Sequence, residues 1–227
     1  MPTIEWLKQE FHYGYESGDV LAHEPDDVRA QEEKIIGGSY RRVAMEGMAP
    51  FLRPDSRALE LGPGKGSWTR ALLEFLPQGE VHVLDFQDVS QWLHPEKYAG
   101  RLVCHVVGDN SFCEVPEGYF DFFWSFGVLC HCNVSLIKVI LANSLSRLKP
   151  GGIAVLQYGD WKKLGSFGWE RSGVPLEFKN LPDDKIWWPR NDQDTMVRLA
   201  GKAGWEVVSP DLDMVGRDGM IQLRRPL

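Results

Sequence analysis

Residues 59–68, LELGPGKGSW, place Glu60, Gly62, Gly64 and Gly66 at alternate positions directly after an apolar run. Glycines spaced in this way let a backbone turn through positive φ and approach a ligand closely. With Lys65 among them, three ligands compete: a nucleoside triphosphate, a dinucleotide, or an adenosine without phosphate. A triphosphate loop needs G-x-x-x-x-G-K-[S/T]. Here Gly66 follows Lys65, and Leu59 stands where the first glycine is required. A dinucleotide loop needs G-x-G-x-x-G; Gly62 and Gly64 fit, but Ser67 takes the third position. Glu60 beside the loop disfavours pyrophosphate and favours a cationic or amine-bearing ligand. Asp85 ends VHVLD, 23 residues after Gly62, where doubly wound folds hold ribose hydroxyls. Asp109 in VVGDN can accept from an exocyclic amine. Together these residues describe a site for an adenosine that carries no phosphate.

The elements that would position them alternate. Residues 57–61, 81–85, 102–108, 120–126 and 153–158 read as strands, and 67–76 as an amphipathic helix with Ser67 as its cap. Residues 134–148 repeat apolar side chains at helical spacing with Asn133 as the cap, and LKPGG (148–152) reads as a helix stop and turn. This alternation predicts a mostly parallel sheet covered on both faces. Upstream, 24–36 and 40–52 read as two helices broken at Gly37–Gly38, the second capped by Ser39. Residues 159–191 lack periodicity and read as a long loop or small insertion. A helix over 192–204 and two strands, 205–209 and 220–225, follow as an antiparallel hairpin. The expected organisation is one domain over 1–227: a helical cap (1–50), a cofactor-binding core (51–158), a substrate-side insertion (159–191) and a C-terminal helix and hairpin (192–227).

The set LELGPGKG, VHVLD, GDN, FDFFWSFGVLCH and LKPGG, over roughly residues 55–158, resembles the class I S-adenosylmethionine-dependent methyltransferases. The resemblance implies an α/β, Rossmann-like, seven-stranded sheet with an antiparallel C-terminal hairpin, and S-adenosyl-L-methionine as cofactor. It also implies roles. Glu60, Gly62, Gly64 and Gly66 would line the methionine part, Asp85 would hold the ribose hydroxyls and Phe86 would stack on adenine. Asp109 would bind the adenine amine with Asn110 beside it, and Ser125 and Phe126 would lie near the cofactor. More narrowly, EEKIIGGSYRRVAMEG and SFGVLCHCN are similar to small-molecule or sugar O-methyltransferases of bacterial glycan or natural-product pathways.

Methyl transfer from a sulfonium is an in-line displacement, so the protein mainly aligns and desolvates. A hydroxyl acceptor also needs a base. Ligands in open α/β sheets bind beyond the carboxyl ends of the strands, where the loops after the fourth and fifth strands bring His131 and Asp160. His131 is the expected general base, oriented by Asp160. Trp161, Trp169, Trp187 and Trp188 would stack on the acceptor and Arg190 would bind an anionic group. Three alternatives stay open: N- or C-methylation of a small metabolite, a nicotinamide-dependent oxidoreductase, and a non-catalytic cofactor-binding protein. No metal site is expected: Cys130 and Cys132 are spaced C-x-C rather than C-x-x-C, Cys104 and Cys113 stand apart, and no dense carboxylate cluster is visible.

A net charge of −7 and a pI near 5.4 repel phosphate backbones, which argues against a nucleic-acid substrate. No window is apolar for long enough to span a bilayer, and MPTIEWLKQEF mixes charge and bulk unlike a secretory leader. A cytoplasmic location and a small-molecule acceptor, sugar or natural product, are the expectations. The oligomeric state is open, a homo-oligomer among the options.

Overall fold

The computed structural model describes residues 4–12 and 14–227. The chain enters through three helices, α1 (Ile4–Glu10), α2 (Asp27–Ile36) and α3 (Tyr40–Gly47). Asp26 and Ser39 cap the last two, accepting from the amides of Arg29 and Arg42. Strands and helices then alternate: β1 (Arg57–Leu61), α4 (Ser67–Phe75), β2 (Glu80–Asp85), α5 (Ser90–Leu93), β3 (Leu102–Val106), β4 (Phe120–Ser125), α6 (Val134–Leu145) and β5 (Leu148–Gly159). Two further helices, α7 (Trp161–Phe167) and α8 (Gln193–Lys202), precede β6 (Glu206–Ser209) and β7 (Asp218–Arg224). Among the described residues, no helix is long and apolar enough to cross a membrane.

The seven strands form one sheet in the order β3-β2-β1-β4-β5-β7-β6. The first five run parallel, and β7 lies antiparallel between β5 and β6. The expected C-terminal hairpin is present, with its later strand on the inside. Strand β1 is buried along Ala58–Leu61, as a central strand covered on both faces must be. Along β4 the pleat sends Phe122 and Trp124 to the face covered by α3 and α4, and Phe123 to the face covered by α6 and α8. Strand order reverses between β1 and β4, which opens a crevice beyond their carboxyl ends.

Two local expectations are corrected and one open choice is decided. LKPGG is the first part of β5 rather than a turn: Leu148 pairs with Phe120, and a register slip before Phe122 absorbs the irregular backbone. Ser67 does not cap α4. Gly66 holds that position with φ of 84°, and the Ser67 hydroxyl accepts from the amide of Ser17 at 3.0 Å. Of the two readings of residues 159–191, a long loop or a small insertion, the structure has the second. These residues hold α7 and two 3-10 turns around a small core of Leu164, Trp169, Val174, Phe178, Ile186 and Trp188. Helices this short give no readable periodicity.

Gly219 sits opposite Tyr158 across β5 and β7. A Cβ there would lie 2.1 Å from Tyr158 Cζ. The Tyr158 ring is fully buried, and its hydroxyl donates to the Pro210 carbonyl at 3.2 Å. Gly219→Ala therefore overpacks the sheet and is expected to cost about 1–3 kcal/mol, lowering Tm by roughly 2–4 °C per kcal/mol. Thermal unfolding checks this; an unchanged Tm would mean that Tyr158 moves aside freely.

Candidate active site

The glycine loop is held by close backbone contact. Gly62 and Gly64 have φ of 71° and 53°. A Cβ at Gly62 would meet Val128 Cγ2 at 2.3 Å, and one at Gly64 would meet the Tyr15 carbonyl at 2.4 Å. That carbonyl accepts from the Lys65 amide at 2.8 Å, the Gly62 amide donates to Leu84 and the Gly66 amide to Pro63. Three loop amides are thus bonded to the protein rather than aimed at a phosphate. The Lys65 ammonium faces Glu16 at 3.7 Å.

Beyond the loop a cavity of about 460 Å3 runs from the ends of β1 and β2 to the cap and the insertion. At one end Gly62, Gly64, Asp85, Phe86, Val107 and Asn110 form its wall. Asp85 accepts from the Gln87 amide at 2.9 Å, and burial pushes its carboxyl up to about 6 against that bond. The Gln87 side chain in turn donates to the Phe11 carbonyl at 3.0 Å. A carboxylate for a diol, apolar slot walls for a flat base and a loop with three amides already engaged fit S-adenosylmethionine.

The other end is aromatic. His131 packs with Phe11, Trp187 and Trp188 at ring separations of 5.4, 5.8 and 5.1 Å. Its Nδ1 lies 2.8 Å from the Trp187 carbonyl. A carbonyl only accepts, so Nδ1 carries the proton and Nε2 keeps its lone pair. Burial lowers the imidazole to about 4, with the Trp187 bond opposing and the Arg217 charge adding to the shift.

The expected site residues divide. Gly62, Gly64, Asp85, Phe86, Asn110, Phe126, His131, Trp187 and Trp188 are on the cavity wall; Glu60, Gly66, Asp109, Ser125, Asp160, Trp161, Trp169 and Arg190 are not. Glu60 is buried beneath the loop, where Thr69 donates to it at 2.6 Å and burial pushes it up to about 8. Burial thus favours its neutral form and weakens its attraction for a cation. Gly66 lines a separate small cavity with Arg70 and Lys97. Asp109 turns its exposed carboxylate back to the Ser111 amide at 2.7 Å, which leaves Asn110 on the wall. Ser125 is fully buried and donates to the Leu61 carbonyl. Asp160 does not orient His131. It caps α7 through the Lys162 and Lys163 amides and also accepts from the Gln193 amide. Trp161 and Trp169 pack edge to face at 4.8 Å inside the insertion, and Arg190 pairs with Asp183 and covers Trp161.

The sequence reading missed a polar cluster on the cavity wall. Arg217 donates through Nε to Asp218 at 2.9 Å and through Nη1 to the Ser172 carbonyl at 3.2 Å, and stacks over Trp188 at 4.5 Å. Gln157 donates to Asp218 at 2.5 Å and accepts from the Gly127 amide at 2.6 Å. Across from them, Glu32 accepts from the hydroxyls of Tyr15 and Tyr40. Only the Arg-Asp doublet before the last strand hinted at the cluster, and its partners are remote in sequence.

Residues 37–210 match a family described as a methyltransferase domain. No curated protein matches the chain by sequence. Among solved structures, the fold is similar to a Galdieria sulphuraria protein assigned as a sarcosine dimethylglycine methyltransferase, at a TM-score of 0.62 and 12% identity over 98% of both chains. It is also similar to a SAM-dependent methyltransferase from Methanosarcina mazei (TM-score 0.56, 15% identity, 80% of this chain and 98% of that one). A third similar structure is the mitomycin 7-O-methyltransferase MmcR (TM-score 0.58, 16% identity, 82% of this chain and 55% of that one). At such identities the likeness is one of fold. The nicotinamide alternative falls with the family match. Because that match takes in most of the chain, from the cap to the end of β6, the protein belongs to the methyltransferase domain family and is a class I methyltransferase that uses S-adenosylmethionine.

Proposed function

We propose that the protein methylates a hydroxyl of a small molecule, a phenol before an aliphatic alcohol, with His131 as general base. What supports the reading is His131 itself: a neutral imidazole, its Nδ1–H held by the Trp187 carbonyl, on an aromatic cavity wall. S-adenosylmethionine supplies the methyl group as an electrophile. The remaining work falls to the chain. Trp187, Trp188 and Phe11 exclude water and present flat faces, and His131 Nε2 takes the hydroxyl proton. A base lowered to about 4 is far from matching an aliphatic alcohol. A phenol, near 10 in water, is a closer match. The wall is also mainly rings and aliphatic groups, which suits a planar acceptor better than a sugar.

Asp85 is proposed to hold the cofactor's ribose hydroxyls. Asp85→Asn is expected to weaken S-adenosylhomocysteine binding by about tenfold or more, measured by calorimetry. In the wild type, affinity falls as pH drops through about 6, because a protonated Asp85 loses an acceptor. The stability of the ligand-free protein moves the other way. The folded chain binds this proton more tightly than the unfolded one, so the contribution of Asp85 is full below its ordinary value of 3.8 and is lost as pH rises through about 6. Asp85→Asn removes that dependence in pH-resolved melting curves.

His131→Gln is expected to lower kcat by about 10²–10⁴, with S-adenosylhomocysteine affinity within a few-fold of wild type. Because His131 stays unprotonated above about 4, kcat at saturating cofactor is expected to be flat between pH 8 and 5. A loss of less than threefold in His131→Gln would favour an amine acceptor, which needs less help from a base.

A further inference from the structure

Among the described residues, Lys8 and Arg217 are the lysine and arginine side chains on the cavity wall; Arg217 comes from the sheet side, and its protein contacts leave part of it unused. Asp218, fully buried, takes only Nε, through a single carboxylate oxygen; its other oxygen has no hydrogen-bond partner. The side-by-side fork that an arginine and a carboxylate commonly form is therefore absent. Ser172 occupies one donor of Nη1, while among the described residues nothing accepts from Nη2, and Arg217 lines the cavity. The guanidinium lies over the Trp188 ring at 4.5 Å. Held at Nε and Nη1 and charged, it has its free edge at Nη2.

Planar, bidentate donors in a fixed position match a carboxylate. Trp188 packs against both the guanidinium and the His131 ring, at 4.5 and 5.1 Å, and Arg217 and His131 both line the cavity, so an aromatic acceptor there would meet one with its acid and the other with its hydroxyl. Glu32 opposes this anion least where its charge is engaged, and both Tyr15 and Tyr40 donate to one of its oxygens. The geometry points to an acceptor that carries a carboxylate, anchored by the free edge of Arg217: a hydroxyaryl carboxylic acid. The inference deepens the phenolic reading above and rests on it for the methylated group.

The test is calorimetric titration of the S-adenosylhomocysteine-loaded protein with benzoate, the three positional hydroxybenzoates, the matching hydroxybenzamides and 4-hydroxybenzylamine, followed by methyl-transfer assays. At least one hydroxybenzoate is expected to bind tenfold or more tightly than its amide. Arg217→Met should abolish that preference while S-adenosylhomocysteine still binds, and Arg217→Lys should retain part of it. If Arg217→Met does not fold, the acid-to-amide ratio in the wild type and in Arg217→Lys decides. Equal binding of acid and amide, or tighter binding of the amine through Glu32, overturns the carboxylate anchor and leaves the phenolic reading standing. Unsubstituted benzoate bound through Arg217, with no phenol methylated, would keep the anchor and remove the phenolic reading. No binding of any acid overturns the anchor.

Discussion

The site depends on one place where backbones touch. At Gly62 and Gly64 there is no room for even a methyl group, and the loop is consequently pressed against three separate segments. The Gly62 amide binds the Leu84 carbonyl, which sets Asp85 beside the loop. Val128 presses on Gly62 from the turn that carries His131. The Tyr15 carbonyl takes the Lys65 amide, which brings the cap and Phe11 over the cavity. Glycine here is a packing requirement among protein segments as much as an accommodation for a ligand.

The second organising fact is how protons are distributed. In water an imidazole holds its proton to higher pH than a carboxyl group does. Here the order is inverted: Glu60 is raised to about 8, Asp85 to about 6, and His131 is lowered to about 4. Burial is the leading cause in all three, because it penalises whichever form is charged. Burial therefore favours a neutral imidazole on the cavity wall and holds back ionisation of the acid beneath the loop more than that of Asp85. Groups tuned apart in this way are common where proton transfer is part of the chemistry.

The parallel strands were legible because each is a short apolar run that must be covered on both faces, and the glycine loop was legible from its spacing. Side-chain destinations were not. Asp109 and Asn110 are neighbours, and only the local turn that bends Asp109 toward Ser111 decides which one faces the cavity. Asp160 stands at the right strand end for catalysis, yet an unpaired helix N-terminus claims it. Ser67 has the chemistry of a cap, but Gly66 already turns the chain and Ser17 engages the hydroxyl. Trp161 and Trp169 differ from Trp187 and Trp188 only in which side of the insertion they occupy. Arg217 depends on contacts with Ser172 and Trp188, from a distant part of the chain, that no local pattern announces.

Strand β7 is made after β6 but lies inside it, against β5. During synthesis β5 therefore emerges long before its neighbour, and one side of it has unpaired amides and carbonyls until β7 arrives. A nascent chain halted in that interval carries the glycine loop and His131 but also an open, apolar sheet edge. Arg217, at the threshold of β7, is seated only when that edge closes. The contacts of Arg217 with Asp218, Ser172 and Trp188 are therefore among the last that the emerging chain can make.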